Sequence, residues 1–158
     1  MKNIRLTKQK VAIVDDEDFE YLSQFKWWCS HGYAVRDVVI NGKPKKILMH
    51  RVIINPPDFM QVDHINGNRS DNRKENLRIC TNTQNIRNSK KQRNNKSGFK
   101  GVSIKYRKNN RYQYITAGIH FEGKNIYLGT YETLEEAALA YNDAAIKYFG
   151  EFAYLNKI

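Results

Sequence analysis

Short β-rich runs punctuated by tight-turn dipeptides, together with two capping boxes that each launch a helical stretch, predict an α+β fold. Four parts follow in chain order. They are a small strand-and-helix leader (residues 1–60), a strand–loop–strand–helix motif (61–90), a basic linker (91–97), and a three-stranded antiparallel sheet packed on one helix (98–158).

In the leader, Val-Ala-Ile-Val at 11–14 reads as a strand, and Asp15 or Asp16 caps a short helix carrying Phe19, Leu22 and Phe25 on one side. Val38, Val39 and Ile40, then Asn41-Gly42, then residues 45–49 spell a hairpin, because Asn-Gly supplies the two positive φ angles of a type I′ turn. His50-Arg51 either ends that second strand or opens a short helix, and Asn55-Pro56-Pro57 closes the part. Trp27, Trp28 and the phenylalanines are expected in a core, since a module this small needs every large side chain it has.

Residues 62–64 and 77–80 read as two strands joined by a polar loop that opens on Asn66-Gly67 and shows no apolar period. Thr81 is an N-cap, and Gln84 three residues on completes a capping box. Asn85 therefore falls in the first helical turn, able to face the hairpin.

This motif concentrates chemistry suited to a phosphodiester. Hydrolysis of that bond needs a base for the attacking water, a divalent cation for the leaving oxygen, and hard oxygen ligands for the cation. The imidazole of His64 titrates near neutral pH and can take the proton, a role worth roughly 10²- to 10⁴-fold in rate. Asp63 points to the opposite face of its strand, so one dipeptide can serve water on one side and a cation on the other. Asp63 with Asn85 matches the sparse protein shell of Mg²⁺.

The run from His50-Arg51 through Val62-Asp63-His64, Asp71-Asn72-Arg73, Asn76-Leu77-Arg78 and Asn85 resembles the HNH homing endonucleases of phages and bacteria, with their ββα-metal hairpin. The resemblance covers about a third of the chain, and the leader resembles the segment that precedes the hairpin in such nucleases. It implies His64 as general base, Asp63 and Asn85 as metal ligands, and Asn76 as the middle residue that pins the loop and orients the base. His50 and Arg51 stand in a second tier. The third letter is Asn rather than His, which suits Mg²⁺, or Mn²⁺, better than a softer metal.

Residues 98–158 change character, becoming aromatic, alternating and finally Ala-rich. Stretches 101–106, 112–121 and 124–131 predict three antiparallel strands, with Asn109-Asn110 and Glu122-Gly123 as turns. Thr133 and Glu136 form a capping box. The helix it starts carries Ala137, Ala138, Tyr141, Ala144, Ala145 and Tyr148 as an apolar stripe, and Gly150 stops it. If Val102, Ile104, Ile115, Ala117, Ile119, Ile126 and Leu128 face the helix, the period of two sends Ser103, Lys105, Arg107, Tyr112, Tyr114, Thr116, His120, Asn125 and Tyr127 to a polar, basic, aromatic far side.

Gly98-Phe99-Lys100-Gly101-Val102, Ile126-Tyr127-Leu128-Gly129-Thr130-Tyr131, Glu135-Glu136-Ala137-Ala138, Ala140-Tyr141-Asn142 and Ala144-Ala145 look very like the plant APETALA/ethylene-response-factor DNA-binding domain. The match spans nearly all of 97–158. The Arg and Trp with which the plant domains read bases are replaced here by Ser103, Lys105, Tyr114 and Ile115, so the resemblance implies the fold and not the target site. His120 falls where that family has a DNA-facing Arg, which implies a phosphate contact.

Composition points the same way. The chain has 27 Lys+Arg against 16 Asp+Glu, a formal net charge of +11, and should concentrate on polyanions. The excess is uneven, with 19 basic against 10 acidic residues in 1–96 and 8 against 6 in 97–158, differences of +9 and +2. Arg87, Lys90, Lys91, Arg93 and Lys96 lie in a segment with no acid, and read as a linker that follows phosphates. Lys43, Lys45, Lys46 and Lys100 are expected to add contacts. The 2 cysteines, Cys29 and Cys80, show no metal-knuckle or disulfide spacing.

The sequence thus predicts a site-recognising, homing-type, divalent-metal-dependent DNA endonuclease that nicks or cuts duplex DNA. It is expected to act as a monomer without an obligate protein partner or a membrane, in the cytoplasm of a bacterial host, encoded by a phage or mobile element. The alternatives are a DNA-binding regulator whose hairpin serves only as scaffold, and an RNA-binding protein, which the stacking tyrosines suit.

Overall fold

The computed structural model describes residues 1–106 and 112–158. Arg107 and the Asn109-Asn110 turn expected from the sequence lie outside the described residues. The chain divides into two compact units, Met1–Asn85 and Ile86–Ile158. No described helix is long and apolar enough to cross a membrane.

In the first unit, β1 (Lys2–Arg5) pairs antiparallel with β2 (Val11–Val14), and α1 (Asp16–Ser23) follows. Asp15 holds the N-cap position, but its carboxylate accepts the backbone N–H of Lys74 at 2.8 Å instead of capping its own helix. β3 (Trp28–Ser30), β4 (Tyr33–Ile40) and β5 (Lys43–Leu48) form a sheet in that order. Asn41 and Gly42 take φ of 50° and 72°, as a type I′ turn requires. His50-Arg51 opens a short helix, α2 (Met49–Ile54), which ends on Asn55 in the left-handed region. The core gathers Ile4, Val14, Leu22, Trp27, Ala34 and Met49. Trp28 instead sits partly exposed, its indole N–H on Asp37 at 3.0 Å, and Phe59 lies on the surface.

β6 (Gln61–His64) and β7 (Leu77–Cys80) make a four-register antiparallel hairpin in which His64 opposes Leu77 and Asp63 opposes Arg78. The long loop between them is fastened to β2. Ile13 N–H donates to the Ser70 carbonyl and Asn72 N–H to the Ile13 carbonyl, each at 2.8 Å. α3 (Asn82–Arg87) follows, and the Thr81–Gln84 capping box closes both ways, at 2.8 and 3.2 Å.

In the second unit, β8 (Val102–Tyr106), β9 (Gln113–Phe121) and β10 (Lys124–Tyr131) form an antiparallel sheet with β9 central. α4 (Leu134–Phe149), started by the Thr133–Glu136 capping box, packs Ala137, Ala138, Tyr141, Ala144 and Ala145 on Val102, Ala117 and Ile119. The stripe ends on buried Phe149, while Tyr148 is only half-buried against Phe121. Small alanines let the helix axis approach the sheet closely. At Gly101, where φ is +76°, a Cβ would overlap the Tyr141 ring, so backbone and ring occupy the space that any other residue needs.

Two expectations about this unit are corrected. Thr116 alternates to the far side of the sheet as expected, yet is only 5% exposed. The end of the segment read as a linker is bonded into the module: Gly98 N–H donates to Asn95 Oδ1 and Asn95 Nδ2 to the Phe99 carbonyl, each at 2.9 Å, and Ser97 Oγ to the Val102 carbonyl at 2.8 Å. Residues 86–95 and the far side of the sheet line a shared groove.

Candidate active site

Strand alternation splits the hairpin into two chemical faces. Gln61 and Asp63 fall on one, Val62 and His64 on the other. Asn85, carried by the first turns of α3, donates from Nδ2 to Gln61 Oε1 at 2.6 Å, and Gln61 donates to Asn82 at 3.2 Å. Asn85 therefore meets the face that bears Asp63. Asp63 is 5% exposed, and its Oδ2 accepts two bonds across the hairpin, from Arg78 Nε at 3.0 Å and Nη2 at 2.8 Å.

His64 is 4% exposed on the opposite face. Its Nε2 lies 3.4 Å from Asn72 Oδ1, and its ring meets His50 edge-on, with centroids 5.0 Å apart, and Tyr33 at 5.9 Å. Desolvation holds the His64 imidazole below its ordinary range, opposed by the Asn72 bond and the charge of Asp63. Desolvation, with the nearby charges of His64 and Arg51, takes His50 down to about 3. Both rings are then neutral at pH 7. His50 Nδ1 is buried with no hydrogen-bond partner.

Asn76 ties the loop to the hairpin. Its Oδ1 accepts the Asn66 N–H at 3.0 Å, its Nδ2 donates to the Asp71 carbonyl at 2.8 Å, and its own carbonyl accepts Ile65 N–H at 2.9 Å. Asp71 is fixed in turn by Arg73 Nε and Nη2, each at 2.8 Å, and by Asn66 at 3.0 Å, and the Arg73 bonds hold its carboxyl low. Arg51 donates to the Met60 carbonyl at 2.9 Å, which braces the approach to β6.

The hairpin sets the four residues expected from the sequence on two sides, Asp63 and Asn85 on one and His64 on the other, with Asn76 bracing the loop between the strands, and adds three that sequence reasoning did not assign. Asn72 orients the imidazole, Arg78 neutralises Asp63, and Tyr33 walls the histidine pair. Arg78 and Asn72 stand within the motif, but only strand register and the Ile13 clamp reveal their partners.

A divalent ion is compatible with the donor set on the Asp63 face. A carboxylate and the amide groups of Asn85 and Gln61 are hard oxygen donors, but Arg78 already pairs with Asp63 and Asn85 with Gln61, so an ion seated there would take the place of part of those bonds. Among the described residues no group of three or more His, Cys, Asp or Glu assembles, so the set is one carboxylate plus amides.

In the second unit, Lys90, Lys91, Arg93, Lys96, Ser103, Lys105, His120 and Tyr127 are exposed, and Tyr114 is half-buried. His120 Nδ1 pairs with Asn125 Oδ1 at 2.9 Å and Tyr127 Oη with Thr130 at 2.6 Å. Arg87 and Lys100 differ from expectation in having internal partners. The Arg87 guanidinium stacks over Phe121 and Phe149 at 5.2 and 4.9 Å, and Lys100 Nζ donates to the Arg87 and Ser89 carbonyls at 2.6 Å each.

Comparison with known proteins agrees with this geometry. The family model of the HNH endonucleases matches residues 55–87, the stretch that contains β6, β7 and α3. An uncharacterised HNH endonuclease of Acanthamoeba polyphaga mimivirus is 34% identical over 158 residues, covering 96% of this chain and 77% of that protein. An AP2-like ethylene-responsive transcription factor of Arabidopsis thaliana is 47% identical over 60 residues, 38% of this chain and 17% of its own length. No solved structure matches the chain significantly. Because the likeness to the viral protein runs almost end to end and the family model settles on the hairpin, this chain belongs to the HNH endonucleases, nucleases that hydrolyse DNA.

Proposed function

We propose that this chain is a homing-type endonuclease that recognises a site in duplex DNA and hydrolyses a phosphodiester there with the help of a divalent ion, Mg²⁺ first and Mn²⁺ second. The reading rests on one observation: a neutral, oriented imidazole and a paired carboxylate on opposite faces of a single strand, braced by one loop.

His64 is the general base. Asn72 Nδ2 donates to the Ser70 carbonyl at 3.2 Å, which turns Asn72 Oδ1 toward the ring. An amide oxygen only accepts, so the Asn72 contact favours the proton on Nε2 and orients the ring as the base. Asp63 and Asn85 would hold the ion, which when bound polarises the scissile phosphate and neutralises the leaving oxygen. Asn76 fixes the loop that carries Asn72, and so the orientation of the base. The second unit docks on DNA beside the cut through Lys90, Lys91, Arg93, Lys96, Ser103, Lys105 and Tyr127, with His120 on phosphate.

Plasmid nicking with Mg²⁺, Mn²⁺ or chelator tests the reading. The chain is expected to nick with either ion and not with chelator, and His64→Ala to lose roughly 10²- to 10⁴-fold in rate. Equal nicking by His64→Ala and the native chain would remove the base assignment.

A further inference from the structure

We propose that residues 86–95 form one jaw of a clamp that grips a single sugar–phosphate backbone of duplex DNA against the far side of the β8–β9–β10 sheet. The proposal rests on the reading of the second unit as a DNA-docking module and deepens it: the segment acts as a contact surface, not as a tether.

Three observations converge on this. First, the segment and the sheet enclose an open groove of about 750 Å³. That volume is on the scale of one strand of sugar and phosphate, not of a whole duplex. Second, both walls are cationic. Lys90 and Lys91 line one, and Lys105 lines the other together with the polar Ser103, His120 and Asn125 of the three strands. Among the described residues that line the groove there is no Asp or Glu. A polyanion one strand wide is the ligand this charge pattern complements.

Third, the jaw is held in place from both ends. Arg87 stacks on Phe121 and Phe149, and at the other end the Asn95–Ser97–Gly98 turn is bonded into the module. Between these anchors, Lys100 donates to the carbonyls of Arg87 and Ser89, a cation set on backbone oxygens at the C-terminal end of α3. Burial lowers this ammonium to about 8, so it stays largely protonated at neutral pH. Lys100 is a positioning residue for the jaw and makes no DNA contact of its own.

Fluorescence anisotropy on the full chain carrying His64→Ala, with a labelled duplex, tests the clamp. Lys91→Glu and Lys105→Glu are each expected to weaken binding about tenfold through lost phosphate contact. The double variant is expected to fall short of the product of the two by about threefold or more, because both lysines serve one phosphate run. Lys100→Met, which leaves both jaws charged, is expected to weaken binding and to abolish that coupling while the thermal unfolding profile stays that of the native chain.

Independent, multiplicative effects of Lys91→Glu and Lys105→Glu would overturn the clamp and leave the docking reading standing. Full binding by both single variants would overturn the docking reading itself. Equal affinity and equal coupling on a single-stranded oligonucleotide of the same sequence would overturn the commitment to a duplex.

Discussion

His50 places a titratable ring where water cannot reach it: 5% exposed, its Nδ1 unpartnered, its edge against His64. The folded-state pKa of about 3 lies below the ordinary 6.5. Between those values the unfolded chain binds a proton that the native ring does not, so stability is full above about pH 6.5 and falls as pH drops through that window. Thermal midpoints are therefore expected to fall steadily from pH 7 to pH 4, and His50→Phe, which keeps the ring packing without the buried nitrogen, to flatten that dependence. An unchanged acid slope in His50→Phe would locate the sensitivity elsewhere. His50→Ala, by contrast, opens a cavity beside the base and is expected to slow nicking about tenfold to a hundredfold at neutral pH through loss of its orientation. The sequence made Asp63, His64, Asn76 and Asn85 legible because their spacings are set by strand alternation and a local capping box. Tyr33 and Asn72 were not, because their closeness to His64 depends on how β2 and β4 pack, which no local spacing encodes.

The β6–β7 hairpin has four residues per strand, too few to be stable on ladder bonds alone. The Asp63–Arg78 pair, with both side chains largely buried, locks its register from one face. Arg78→Met is expected to cost about 3–5 kcal/mol in urea unfolding of the first unit, since it leaves a buried carboxylate without its cation. A loss below about 1 kcal/mol, the range of exposed pairs, would show that the bridge carries little of the fold. In the second unit the equivalent keystone is Gly101. Gly101→Ala must take a positive φ and displace the Tyr141 ring, and is expected to cost about 2–4 kcal/mol. Elements that announce themselves by turn or cap chemistry were legible: the Asn41-Gly42 hairpin, the Glu122-Gly123 hairpin, α3 and α4. β1 and β3 were not. Each is four residues or fewer without strict alternation, and forms because a partner strand is already there.

At the scale of the chain, the charge of +11 and the division at Asn85/Ile86 frame the proposal that one unit cuts and the other docks. Two modules on one chain gain affinity through effective concentration, and each phosphate contact adds to the salt dependence of binding. Removing residues 97–158 takes away the sheet, α4 and the Ser97 and Lys100 anchors of the basic segment, while Asp63, His64, Asn76 and Asn85 all remain. The truncated chain is expected to keep metal-dependent nicking, to spread its cuts over many positions where the full chain favours few, and to bind DNA with a shallower slope of log K against log salt. Cleavage mapping on a random-sequence library, run with both chains at matched salt, reads all three. The shallower slope follows from lost phosphate contacts whether or not the second unit selects sites, so the distribution of cuts is the decisive measurement. A truncated chain that cut at the same few positions as the full one would place site choice within the first unit and leave the second with affinity alone.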